Sequence, residues 1–188
     1  AEPMTCQRVE WNGLDLVIYR SYGVIAEHFA IATSLAGLTL VWRALSTAGA
    51  IPVGFAALEA FRLAEGIPVY GIDIAERDLP QETSQTRALH FNKGCYLGQE
   101  IVERIRSRGN VHRHLRQLKL EGPMPDAGAE LSLEGVRVGA ITGAAEFSLD
   151  GKTHRLALGM VRSEAEIKKL PLTYGSGTSA GSAEVLDK

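Results

Sequence analysis

The amino-acid sequence predicts an α+β fold. Residues 1–113 mix helices with strands, and residues 114–188 form a small all-β part, a barrel or a sandwich. Three observations carry this. Apolar residues recur at spacings of three and four through Leu35, Leu38, Val41, Trp42 and Leu45, the stripe of an amphipathic helix. Asn12-Gly13 sits between two β-rich runs, a strong hairpin signal. After Arg113 the chain becomes a series of short alternating segments cut by Gly and Pro turns.

Taken in order, residues 7–20 read as a hairpin about Asn12-Gly13, and residues 24–32 as a further strand. Thr33 or Ser34 supplies the hydroxyl that caps a helix running to about Thr47, and Gly49 ends it. A second helix covers residues 54–65 with Phe55, Leu58 and Phe61 turned inward and Gly66 as its stop. Ile67-Pro68 begins an extended segment, because a residue before proline avoids the helical region. Residues 73–90 are polar and irregular. A third helix starts near Leu97 or Gly98 and ends at Gly109. The β-part comprises LRQLKL, AELSL, VRVGAIT, AEFSL, HRLALGMV and AEVL, with a short helical insert at residues 164–169 and a loop over residues 175–182. Trp11 and Trp42 read as core residues.

The composition excludes several function classes. The chain has 188 residues, 45% hydrophobic and 22% charged, which is globular rather than disordered. Its formal net charge is −2, which disfavours general nucleic-acid binding through phosphate neutralisation. No apolar run reaches the roughly 18 residues that a membrane span needs. Two cysteines, Cys6 and Cys95, are too few for a disulfide framework and point to a reducing compartment, the cytoplasm. The chain opens on Ala1, so a fragment of a longer protein is one expectation.

The segment richest in chemistry is Phe91-Asn92-Lys93-Gly94-Cys95-Tyr96-Leu97-Gly98-Gln99-Glu100. It sets a thiol just before a helix, where free amides and the helix dipole favour a thiolate, and Lys93 adds positive charge. Gly94 and Gly98 allow close backbone approach or left-handed angles. Glu100 suits the dipole, although its charge opposes the thiolate. The plain alternative is a small cysteine in a tight turn.

Four other groups invite a role. His112 and His114 lack a third ligand nearby, so no metal site is expected. Arg104, Arg106, Arg108, His112, Arg113, His114 and Arg116 form a basic stretch, either a solvated face or a docking surface. Asp73, Asp78 and Glu82 read as a polar loop, or as an acidic group near the cysteine. Two cysteines alone cannot hold a stable [4Fe-4S] cluster, which normally takes four thiolates.

The run Lys93-Gly94-Cys95-Tyr96-Leu97-Gly98-Gln99-Glu100 resembles the signature of the YgfZ family, folate-binding proteins of iron–sulfur cluster maturation related to the glycine cleavage T-protein, an aminomethyltransferase. Arg62 to Gly71, Leu79-Pro80-Gln81-Glu82 and Arg108-Gly109 are similar to further landmarks, so the likeness runs from about residue 50 to the end. It implies part of a T-protein-like tetrahydrofolate-binding domain over residues 1–113, lacking its N-terminal portion, and a C-terminal antiparallel β-barrel over residues 114–188. It implies Cys95 as a working thiol, tuned by Lys93 and supported by Gly94, Tyr96, Gly98, Gln99 and Glu100. Arg62, Tyr70 and, more weakly, Glu27 are implied folate contacts. The chain departs from the pattern at Ala64-Glu65, where relatives often carry Glu-Ala. The implied partners are folate and iron–sulfur client enzymes or assembly proteins, including enzymes of tRNA modification. The thiol could handle a transient cluster, a persulfide or a folate-bound one-carbon species. The rival implied by the same likeness is a folate-dependent aminomethyl transferase.

Overall fold

The structure is a computed structural model that describes residues 5–21, 27–109 and 111–186. It divides into two units, residues 1–58 and 59–188.

The first unit holds three antiparallel strands in the order β1-β2-β3 and one helix. Strands β1 (Thr5–Trp11) and β2 (Leu14–Ser21) form the expected hairpin, with Trp11 opposite Leu14 and both Asn12 and Gly13 at positive φ. Strand β3 (His28–Ala32) pairs with β2 from Val17↔Ala32 to Ser21↔His28. The first residues of the expected strand 24–32 lie outside the described ones. Helix α1 (Leu35–Thr47) starts where the hydroxyls predicted it: Ser34 Oγ accepts from the Gly37 N–H at 3.2 Å.

Of the predicted inward face of α1, Val41 alone is buried. Gly37 and Val41 are buried, whereas Leu35, Leu38, Trp42 and Leu45 are exposed, Trp42 at 57% and Leu35 at 88%. Periodicity reports which residues share a face, and not what lies against that face. Trp42 is therefore not a core residue, and Trp11 is half-buried. Helix α2 (Phe55–Glu65) repeats the lesson: Phe55 and Leu58 are exposed and Phe61 half-buried, while Arg62, Leu63 and Glu65 are buried.

In the second unit a long irregular segment follows α2, with a single turn of 3-10 helix at Thr86–Ala88, and leads to helix α3 (Gln99–Arg108). Then comes a closed six-stranded antiparallel barrel in the order β4-β7-β6-β5-β8-β9. Its strands are β4 (Arg113–Glu121), β5 (Glu130–Leu133), β6 (Val136–Leu149), β7 (Lys152–Arg162), β8 (Leu172–Tyr174) and β9 (Gly181–Val185). Helix α4 (Ser163–Lys168) is the expected insert. Two segments predicted separately, VRVGAIT and AEFSL, are one strand, β6. Its register against β7 shifts between Ile141 and Gly143, so the single strand bends around the barrel and Thr142 is left out of the pairing.

Closure removes exposed strand edges, and the interior is filled by Leu118, Leu131, Ile141, Ala157, Val161 and Leu172. Tyr174 is buried among them, and its hydroxyl lies 2.9 Å from the Pro123 carbonyl and 3.2 Å from that of Glu121. A smaller core of Leu63, Leu115 and Leu158 seats the end of α2 on the barrel wall. There Gln117 Nε2 donates to the carbonyls of Leu63 (2.6 Å) and Ala64 (2.8 Å) in the last turn of the helix, and the Leu63 carbonyl also accepts from the Gly66 N–H at 3.2 Å. Among the described residues, no helix is long and apolar enough to cross a membrane.

Candidate functional site

The cysteine segment is a loop leading into α3. Gly98 takes the residue position before the helix with φ of 85°, a left-handed conformation that favours glycine. Gln99, the first helical residue, folds its side chain back over the loop. Its Oε1 accepts from the Tyr96 N–H at 3.1 Å, and its Nε2 lies 4.0 Å from Cys95 Sγ. Cys95 is exposed. Lys93 lies over the ring of Tyr96, its Nζ 4.4 Å from the ring centroid. Arg106 stacks in the same way on Phe91, at 4.4 Å. Glu100 lies in the first turn of α3, exposed, and Gly94 has open space where a Cβ would be. The helix is fixed from below by Val102, which is buried, and by Gln81 Nε2, which donates to the Val102 carbonyl at 3.0 Å. The predicted motif residues thus form one loop, and Gln99 is its organiser.

Arg62 stands elsewhere in the second unit, 7% exposed. Its Nε and Nη2 face Glu59, with Nε 2.8 Å from Oε2. Its Nη1 donates to Asp73 Oδ2 at 2.7 Å and to the Ile67 carbonyl at 3.3 Å. Asp73 also accepts from the Val69 N–H at 2.9 Å and from the Thr142 hydroxyl at 2.5 Å. Gly143 makes room for this: a Cβ there would lie 3.3 Å from Arg62 Nη2. Burial would lower the Arg62 pKa, but the hydrogen bond to Glu59 and the charges of Asp73 and Glu59 outweigh it, and the net shift is upward. Arg62 therefore meets two carboxylates of its own chain, and this arrangement leaves no fork presented to a folate tail. Tyr70 is exposed, in the same unit. Glu27 belongs to the first unit, where it is exposed and ion-paired with Arg20.

Sequence reasoning missed the Arg62–Asp73–Thr142 network, because the three residues are far apart in the chain. Asp73, Asp78 and Glu82 do not form an acidic group. Asp73 pairs with Arg62, whereas Asp78 (2.8 Å) and Glu82 (3.1 Å) share Arg113. The hydrogen bond to Glu82 is the main reason the Arg113 pKa is raised, against a smaller opposing effect of burial. Two further arginines of the basic stretch also find acidic partners: Arg106 pairs with Glu103, and Arg116 with Glu166 at 2.8 Å. His114 Nδ1 lies 3.1 Å from the same Glu166. Among the described residues, no group of three or more His, Cys, Asp or Glu is placed to hold a metal ion.

No protein-family model matches the chain. A chloroplastic protein of Arabidopsis thaliana, At1g60990, which carries a transferase designation, is 27% identical over 179 residues, 95% of this chain and 41% of that protein. An aminomethyltransferase of Rippkaea orientalis is 31% identical over 135 residues, 68% of this chain and 36% of the relative. The mitochondrial iron–sulfur cluster assembly factor IBA57 of Mus musculus is 32% identical over 107 residues, 55% of this chain and 29% of the relative. The chain thus spans less than half the length of each. The crystal structure of glycine cleavage system aminomethyltransferase T from Bartonella henselae superposes with a TM-score of 0.76 over 92% of this chain and 48% of that one, at 22% identity. The fold is that of the glycine cleavage T-protein, and the chain's relatives include aminomethyltransferases and an iron–sulfur assembly factor.

Proposed function

We propose that the protein is an accessory factor for assembly or repair of [4Fe-4S] clusters in client enzymes, of the YgfZ type, with Cys95 as its working thiol. The observation that supports this most is the Cys95 loop. An exposed thiol is held at the entrance of a helix by a glutamine that bonds both the loop backbone and the sulfur side of the loop. A cysteine kept only for packing would be buried. The likeness to an iron–sulfur assembly factor supports the same reading. With two free cysteines the chain cannot enclose a cluster, so any cluster at Cys95 is a passing cargo shared with a second molecule. Free thiols also favour a reducing compartment such as the cytoplasm.

Tetrahydrofolate enters this proposal through the aminomethyltransferase relatives. Arg62 as placed does not fit the folate tail, because Glu59 and Asp73 occupy its donors. A folate contact of the second unit would then fall to Tyr70, whose ring is exposed. The same relatives favour the second reading, a folate-dependent aminomethyl transferase.

The test is complementation. The protein, wild type or Cys95→Ala, is expressed in cells that lack their own such factor, and the activity of a [4Fe-4S] tRNA-thiomethylating enzyme is read. Rescue by wild type and its loss in Cys95→Ala is the expected result. Equal rescue by both would keep the pathway and reduce Cys95 to structure. Failure of both, with soluble protein, would favour the transferase.

A further inference from the structure

Arg113, at the start of β4, stands directly opposite Arg162, at the end of β7. Like charges at facing positions of an antiparallel pair destabilise it. The Arg113 charge is answered by Glu82 and Asp78. Among the described residues, Arg162 has no ion-pair partner, and neither has Arg77 on the segment between α2 and α3. All three, with Arg137, line one cleft of about 390 Å³ in the second unit. Arg137 holds Glu130 at 3.0 Å.

The carboxylates of the cleft do not balance it. Asp73 is committed to Arg62, the Val69 N–H and Thr142. Asp78 is committed to Arg113 and to the Ala75 N–H at 2.7 Å. Two guanidinium forks are therefore left over, in a chain whose net charge is −2. Met160 and Val138 give the cleft an apolar wall. Its volume lies within the roughly 300–1,000 Å³ of small-molecule sites.

We propose that this cleft binds a small molecule through an oxyanion, a phosphate or a carboxylate, gripped by Arg162 and Arg77. The guanidinium fork matches either group bidentately, which an ammonium does not. The bound anion also offsets the repulsion between Arg113 and Arg162. This site is separate from the Cys95 loop, and the inference stands independently of the proposed function.

Calorimetric titration of the whole chain at low ionic strength tests it, with inorganic pyrophosphate in one arm and triglutamate in the other. We expect saturable binding of at least one of them, weakened at least tenfold in the Arg77→Gln/Arg162→Gln double variant. Pyrophosphate alone assigns a phosphate ligand, triglutamate alone a carboxylate ligand, and both an oxyanion site without discrimination. Thermal unfolding supplies the control for folding. Without anion, Arg162→Gln should melt at or above the wild-type temperature, since it removes a repulsion; with anion, the wild type should gain more than the variant. The proposal is overturned if neither anion binds wild type, or if the double variant binds equally well. It is also overturned if Arg162→Gln melts below wild type without anion, since Arg162 would then be serving the free fold.

Discussion

Asp73 shows how much one side chain can fix. The residue is 3% exposed, and its carboxylate takes hydrogen bonds from Arg62 on α2, from the Val69 backbone and from Thr142 in the β6 bulge. Without the Asp73 charge Arg62 keeps Glu59, but its buried Nη1, the Val69 N–H and the Thr142 hydroxyl all lose a charged acceptor in a poorly solvated place, at a cost of about 3 kcal/mol. Asp73→Asn keeps the shape and removes the charge, so urea unfolding should show a loss of that size with an unchanged slope. Asp78→Asn is the internal comparison. Its partner Arg113 keeps Glu82 and is more than a third exposed, so its loss should stay near or below about 1 kcal/mol. Equal losses would mean that burial does not decide the strength of these pairs. Here the sequence was partly legible. The motif 93–100 and its helix start could be read directly, because their chemistry is local. The partners of Arg62 could not, because a Thr142 hydroxyl turned by a strand bulge leaves no mark in spacing. Nor could the turn of Lys93 onto Tyr96, a choice between two nearby attractions.

At the scale of elements, boundaries were legible wherever a local rule sets them. Ser34 capping α1, Asn12-Gly13 turning the hairpin, and the α3 limits near Gly98 and Gly109 are cases. The faces of α1 and α2 were not, because burial depends on neighbours that periodicity does not name. On α2 the inward side carries Arg62 and Glu65 beside Leu63, a pattern that a hydrophobic stripe hides. Tyr174 gives an element-level prediction. Burial raises its pKa above the ordinary value of 10.0 and outweighs the opposing charge of Arg155. The folded state thus holds the phenolic proton more tightly than the unfolded chain does. The sign follows: this contribution is fully present below pH 10 and is lost as the pH rises from there through the folded pKa. The barrel should loosen in alkali, seen as loss of the ellipticity of β8 and its neighbours. Tyr174→Phe should remove this alkaline component while costing about 1 kcal/mol near neutral pH for the lost hydrogen bond. An alkaline transition of the same size in the variant would assign it to other groups.

Across the whole molecule, stability should be unevenly shared. The barrel has no free edge and a continuous interior running from Leu118 through Ile141, Ala157 and Val161 to Leu172 and Ala183. Opening it breaks many pairings at once. The first unit has a three-stranded sheet with two edges. Among its described residues, Leu16 and Val41 are the buried large hydrophobic side chains. Leu35, Ile51 and Phe55 lie open to solvent instead, so folding this unit removes less apolar surface from water. Cooperative units of such different cores open with different free energies. Native-state hydrogen exchange of the intact chain should therefore protect β4, β6 and β7 most. Amides of β1, β3 and α1 should exchange at least about a hundredfold faster, a difference on the order of 2.7 kcal/mol. The Cys95 loop should exchange with the fast group, since its backbone is tied down mainly by Gln99. Slow exchange spread evenly over both units would show that they unfold as one body, and that the apolar surface of α1 is covered in solution.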